Sequence, residues 1–191
     1  EWVRQHPESK EEIAAFYKHT TNYLYNLTVW FESGDRYQFE KDFVIFKEKY
    51  GIKSVLDFGC GVGNDGLMML EKGLKVIFVD FECPSVEFLK WRLEKRGLEA
   101  TVLDVEKLGK FPDADMFWAI DVLEHVTDPL AVVKKISDKT RVFTHISQFG
   151  NRKSGRHPFH LNFDDRLLSD QLKGMGFKHV PWDELSVWVR K

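Results

Sequence analysis

Four acidic residues stand at or beside the ends of short apolar runs: Asp57, Asp80, Asp104 and Asp121. A single acid there is ordinary, as a helix cap or a solvated turn. Four along one edge of a sheet point to a ligand carrying hydroxyls, amines or positive charge, because open α/β sheets bind ligands beyond the carboxyl ends of their strands. After the first acid comes a loop, Gly59-Cys60-Gly61-Val62-Gly63-Asn64-Asp65-Gly66. Its glycines let the backbone turn sharply and let a ligand come close. Gly61 to Gly66 also fits the dinucleotide pattern GxGxxG. A pyrophosphate, however, wants backbone amides and a helix dipole. Asp57, two residues before the first glycine, would repel it and would attract an ammonium or sulfonium group. Asp80 follows Asp57 by 23 residues, about where a ribose-binding acid belongs in a Rossmann-like unit. Asp104 comes where the exocyclic amine of an adenine would be held.

Histidines supply the second set of candidates. His125 follows the fourth apolar run and suits a base near neutral pH; its other reading is that the Glu124-His125 pair only shapes a helix start. Arg156-His157-Pro158-Phe159-His160 places two histidines three apart after the fifth run. They read as a general base, as metal ligands, or as loop residues bonded to backbone and packed on Phe159. Arg152, Lys153 and Arg156 form a basic stretch that is either solvated or holds a carboxylate or phosphate, Arg by a two-pronged fork. Cys60 sits where the loop needs a small side chain and is not read as a nucleophile. With Cys83 it completes a pair of cysteines, too few for a disulfide framework or a four-cysteine zinc site.

These residues need elements to position them. Residues 1–50 read as helical and strongly aromatic, with Ile13, Phe16, Tyr17, Tyr23, Leu24, Leu27 and Phe31 at helical spacings, a break at Ser33-Gly34-Asp35, and a second helix stopped by Gly51. Tyr17, Tyr23, Tyr25 and Trp30 are expected in the core of that helical packing or, failing that, in a lid that grips an apolar acceptor. The rhythm then changes. Continuous apolar runs at 54–56, 76–79, 100–103, 116–120 and 142–146 alternate with helices, and two final strands lie at 177–180 and 185–189. Unbroken apolar strands between helices predict a parallel sheet covered on both faces. Thr127-Asp128-Pro129 predicts a helix start, a capping side chain with Pro at the first helical position.

Composition bounds the partners. The chain has 191 residues, is 43% hydrophobic and 30% charged, and has a net charge of −2. This argues against disorder and against a strongly basic nucleic-acid binder. No apolar run reaches the ~18 residues of a membrane span, and no secretory signal opens the sequence. The expected location is cytoplasmic; the oligomeric state is left open.

Taken together, these residues resemble the class I S-adenosylmethionine (SAM)-dependent methyltransferases. Val55–Gly63 resembles the family's first motif, acid-x-Gly-x-Gly-x-Gly. Val79-Asp80 resembles the acid that holds the ribose hydroxyls, and Leu103-Asp104-Val105-Glu106 the adenine-contacting segment. Ala119–Pro129 resembles the fourth motif of the small-molecule branch, which includes quinone and natural-product methyltransferases. The resemblance covers about residues 50–191. It implies a Rossmann-like α/β fold, a seven-stranded, mostly parallel sheet with helices on both faces, with residues 1–50 as a helical extension or lid and 51–191 as the SAM-binding domain. It implies SAM as cofactor, S-adenosylhomocysteine (SAH) as product, and a small-molecule methyl acceptor. The implied cofactor-binding residues are Asp57, Gly59, Cys60, Gly61, Gly63, Asp80, Phe81, Asp104, Val105 and Asp121; the candidate catalytic residues are His125, His157 and His160. This reading needs no metal. A second resemblance is looser: Asp121, Glu124, His125 and His160 resemble the set of the metal-dependent RNA-terminal 2′-O-methyltransferases, with Asp121 where that pattern has Glu. A non-catalytic SAM- or nucleotide-binding module is the third reading, and a nicotinamide oxidoreductase a distant fourth.

Overall fold

The computed structural model describes residues 2–7, 9–34, 37–149, 160 and 163–190. The chain divides into two compact units, Glu1–Lys107 and Leu108–Lys191.

The first unit opens with helices α1 (Trp2–Gln5), α2 (Lys10–His19), α3 (Asn22–Glu32) and α4 (Phe39–Tyr50). Ser9 starts α2 with a capping box: its hydroxyl accepts from the Glu12 N–H at 3.1 Å, and the Glu12 carboxylate accepts from the Ser9 N–H at 2.9 Å. The first aromatic stretch is not one helix. Thr20 is extended and buried, and its N–H closes on the Phe16 carbonyl at 2.9 Å, ending α2 before α3 begins. The core of this segment comes from α4, which buries Phe39, Phe43 and Phe46. Helix α3 buries no residue. The expectation that Tyr25 and Trp30 pack in the core is therefore corrected, since they are 66% and 38% exposed. The reason is helical phase: Leu24, Leu27, Thr28 and Phe31 share the half-buried side, which leaves Tyr25 and Val29, four residues apart, on the other. Tyr17 and Tyr23 are half-buried and meet edge to face, with ring centroids 5.5 Å apart.

The unit continues with β1 (Ser54–Phe58), α5 (Asn64–Glu71), β2 (Lys75–Asp80), α6 (Pro84–Arg96) and β3 (Thr101–Asp104). β1 and β3 flank β2 in parallel, and the register pairs Asp80 directly with Asp104. The two acids thus occupy matching positions at neighbouring strand ends.

The second unit holds β4 (Met116–Ile120), a 3₁₀ turn (Leu123–His125), α7 (Pro129–Lys134), β5 (Val142–Ile146), α8 (Asp165–Gly174), β6 (Lys178–Val180) and β7 (Ser186–Val189). Every residue of β4 is buried, as in a strand covered on both faces. β4 and β5 run parallel, while β7 runs antiparallel to both β5 and β6. The start of α7 is as expected: the Asp128 carboxylate accepts from the Ala131 N–H at 2.9 Å, and Pro129 takes the first helical position. The seven strands are ordered β3-β2-β1-β4-β5-β7-β6. Among the described residues, no helix is long and apolar enough to cross a membrane.

Candidate active site

In the first unit the glycine loop is stitched to the end of β2. The Val79 carbonyl accepts from the N–H of Gly59 at 2.8 Å and of Cys60 at 3.4 Å. Gly61 and Gly63 have φ of 50° and 77°, a region that costs other residues strain. Neither has room for a Cβ: at Gly61 it would stand 2.9 Å from Leu27 Cδ1, and at Gly63 it would collide with Leu89.

Asp80 is clasped by the loop it faces. Its Oδ2 accepts from the Gly61 N–H at 2.8 Å, and its Oδ1 from the Phe81 N–H at 2.9 Å. Burial pushes its pKa up to about 6, against the pull of the two N–H donors. Two expected cofactor residues, Gly61 and Phe81, thus orient a third through their backbones. Each carboxylate oxygen keeps acceptor capacity for a further donor such as a ribose hydroxyl.

Asp104 is held differently. Its Oδ1 accepts from the Glu106 N–H at 3.0 Å, and its Oδ2 pairs with the Lys107 ammonium at 3.0 Å. Desolvation pushes its pKa up, but those two partners outweigh it and hold the carboxyl below its ordinary value. The half-buried Val105 continues the same segment. Asp57 is 4% exposed in β1. A Cβ on Gly66 would come within 2.7 Å of Asp57 Oδ2 and would collide with Phe78, so α5 packs directly against this carboxylate. Cys60 is buried, and burial first, then the Asp80 and Asp57 carboxylates, push its thiol well up. Such a thiol is a poor nucleophile at neutral pH, in keeping with its reading as a small loop residue.

In the second unit, Asp121 follows β4 with φ of 52°, a left-handed conformation that Asp tolerates better than most residues. Its N–H donates to the Ile146 carbonyl at 2.9 Å. Glu124 is 1% exposed, and its Oε1 accepts from the Gln148 N–H at 2.9 Å. The rings of His125 and His160 meet edge to face, with centroids 4.9 Å apart. One ligand atom from each of Glu124, His125 and His160 falls within 4.8 Å of the others, a spacing that suits a metal ion. The fold thus brings His125 and His160 together. His157, with Arg152, Lys153 and Arg156, lies outside the described residues.

Sequence reasoning missed several participants. Gln148 acts through its backbone N–H, which no residue type advertises. Arg92 and Asn64 bond across the glycine loop at 2.7 Å, although 28 residues separate them in sequence. His145, in β5, meets Ser147 Oγ at 3.2 Å. Burial, and then the nearby His179, push its pKa down to about 4, so it is neutral at physiological pH.

A glycine loop after β1, acids at the ends of β2 and β3, and a sheet closed by an antiparallel hairpin define the class. The chain has the fold of the class I SAM-dependent methyltransferases. Residues 56–142 match the family model described as "Methyltransferase domain". Over 86 residues the chain is 34% identical to a "Ubiquinone biosynthesis O-methyltransferase" of Idiomarina loihiensis, a match covering 43% of this chain and 35% of that protein. The matched segment thus spans about a third of that relative's length. Among solved structures, the chain is similar to a SAM-dependent methyltransferase from Clostridium acetobutylicum, with a TM-score of 0.62, 13% identity, and coverage of 86% of this chain and 97% of that one. It is also similar to magnesium protoporphyrin IX methyltransferase from Synechocystis PCC 6803 with bound SAM, with a TM-score of 0.59, 18% identity, and coverage of 81% and 79%.

Proposed function

We propose that the chain is a SAM-dependent methyltransferase that moves the methyl group of SAM to an oxygen or nitrogen of a small molecule. The observation that carries this reading is Asp80, a strand-end carboxylate oriented by the Gly61 and Phe81 N–H groups at 2.8 and 2.9 Å. That arrangement suits a ligand presenting paired hydroxyls. The left-handed glycines at 61 and 63, packed against Leu27 and Leu89, support it by shaping the loop that brings the Gly61 N–H to Asp80.

When bound, the cofactor supplies a methyl group already activated by the sulfonium charge. The chain's task is then orientation. Asp80 accepts hydrogen bonds from the ribose hydroxyls. Asp104 and Val105 bind at the adenine, the loop from Gly59 to Gly63 backs the cofactor, and Asp57 and Asp121 balance its positive charge. His125, assisted by His160 and His157, takes the proton that the acceptor's hydroxyl or ammonium must lose. The acceptor is a small molecule and not nucleic acid, a reading supported by the net charge of −2.

The test is calorimetric titration with SAM and SAH, with and without EDTA. The expected result is micromolar binding that EDTA leaves unchanged, and binding weakened by Asp80→Ala at least tenfold, about the worth of one charge-assisted hydrogen bond. No binding of either ligand would overturn the reading and return attention to dinucleotides.

One observation favours a second reading, metal-assisted methyl transfer. The donor set of Glu124, His125 and His160 is one carboxylate and two imidazoles, which suits a first-row divalent ion. Glu124, His125 and His160 would hold such an ion, which would supply Lewis acidity at the acceptor's oxygen. The chelation arm separates the readings when turnover is followed: activity lost in EDTA and restored by Mn²⁺ or Zn²⁺ supports the second, and activity indifferent to EDTA supports the first.

A further inference from the structure

We infer that Arg92 is a positioning residue for the cofactor loop and that, through Asn64, it also sets helix α3 against that loop. The inference rests on the SAM reading above. Leu89 and Arg92 stand three apart on α6, hence on one face of it. Leu89 is fully buried and fills the space beside Gly63. One turn further on, Arg92 Nη1 donates to the Val62 carbonyl at 2.6 Å and to Asn64 Oδ1 at 2.7 Å. Val62 lies between the two left-handed glycines, and Asn64 is the first residue of α5. A single guanidinium nitrogen therefore ties the crest of the loop to the helix that follows it.

The choice of acceptors is informative. Desolvation and the neighbouring Arg96 lower the Arg92 pKa to about 10, and Glu32 and Glu71 pull it the other way. Yet Glu71 is bonded by Arg96 at 3.0 Å, while Arg92 donates at short distance to two neutral oxygens of the loop. A half-buried cation that donates to a backbone carbonyl and a side-chain amide fixes geometry.

Asn64 passes the constraint on. With Oδ1 occupied by Arg92, its amide nitrogen points the other way and donates to the Leu27 carbonyl of α3 at 3.3 Å. On the same turn, the Leu27 side chain covers Gly61, leaving no room for a Cβ there. Gly61 is the residue whose N–H holds Asp80. The order is thus Arg92, Asn64, Leu27, Gly61, Asp80, with α3 resting on the loop by a hydrogen bond and a methyl contact.

The test uses the full chain carrying Arg92→Met, which keeps the apolar stem, and Arg92→Lys, which keeps the charge. SAH affinity is read by calorimetry, and the backbone protection of residues 22–32 by hydrogen exchange without ligand. The expected result is SAH binding weakened about tenfold in Arg92→Met, part of it regained in Arg92→Lys, with exchange of 22–32 accelerated in the methionine variant. If SAH affinity of the folded variant stays within twofold of the parent while Tm falls, Arg92 only supports the fold and the inference is overturned. If the parent chain itself fails to bind SAH, the SAM reading is what has failed. The exchange arm then decides the Arg92–Asn64–α3 link alone: faster exchange at 22–32 upholds it, and unchanged exchange overturns it.

Discussion

Asp80 couples to protons with opposite signs in folding and in binding. Its pKa is raised from 3.8 to about 6 in the folded chain, so the native state holds this proton more tightly than the unfolded state does. The stability it contributes is present in full below pH 3.8 and is lost as pH rises through about 6. Ribose hydroxyls, in contrast, want the ionised acceptor. SAH affinity is therefore expected to rise with pH and to level off above about 6, with roughly a tenfold deficit one pH unit below the pKa. Calorimetry across that range checks this, and Asp80→Asn should flatten the profile at a weaker affinity; an equally steep profile in Asp80→Asn would assign the titration to another group. At this scale much was legible. Asp80, Asp104 and the glycines show themselves by type and by position at strand ends. The hydrogen bonds that orient Asp80 come from backbone N–H groups, Arg92 reaches the glycine loop from α6, and Gln148 reaches Glu124 from the segment after β5. Neither kind of contact leaves a spacing in the sequence.

Helix ends and phases decide how the elements present those residues. The start of α7 is local chemistry, a capping Asp128 and Pro129, and so it could be read directly. Asp128→Ala removes the acceptor of the Ala131 N–H and is expected to cost about 1 kcal/mol, a fall in Tm of about 2–4 °C for a chain of this size. SAH affinity should stay within twofold, because the Asp128 carboxylate serves the start of α7 through the Ala131 N–H. Thermal melts with and without SAH measure both quantities. The N-terminal helices were harder to read. Aromatic residues at helical spacing announce a helix but not which side it buries, so the core expectation failed for Tyr25 and Trp30. Helix α3 instead meets the glycine loop through Leu27, an unremarkable residue in the sequence. The loop it covers is more constrained. Gly63→Ala would combine a φ of 77° with a collision on Leu89, and its expected outcome is loss of SAH binding, measured by calorimetry on protein whose far-ultraviolet circular dichroism confirms that it is folded.

Over the whole chain, the five apolar runs and the two final segments expected as strands became the seven strands, although β3 and β6 bury no residue. Their order across the sheet is a matter of long-range pairing, which no local pattern encodes; the resemblance implied a seven-stranded, mostly parallel sheet, and the order and the antiparallel place of β7 between β5 and β6 were not foreseen. The same long-range character sets how the molecule should answer a ligand. A cofactor bound by the folded chain alone shifts unfolding by mass action, whatever the path of unfolding. SAH at a hundred times its Kd should add about 2.7 kcal/mol, which for a chain of this length raises Tm by about 5–11 °C. The rise should grow logarithmically with further SAH and shrink in Asp80→Ala, whose weaker binding leaves the same concentration fewer multiples of its Kd. A Tm that ignores SAH at concentrations where calorimetry shows binding would mean that SAH also binds unfolded chain, or that the transition observed belongs to the unit that lacks Asp80. Repeating the melt by tryptophan fluorescence separates those cases once Trp2, Trp30 and Trp91 are replaced by phenylalanine, because the remaining Trp118, Trp182 and Trp188 all belong to the second unit. A fluorescence transition that moves with SAH shows that stabilisation reaches both units; one that stays put confines it to the first.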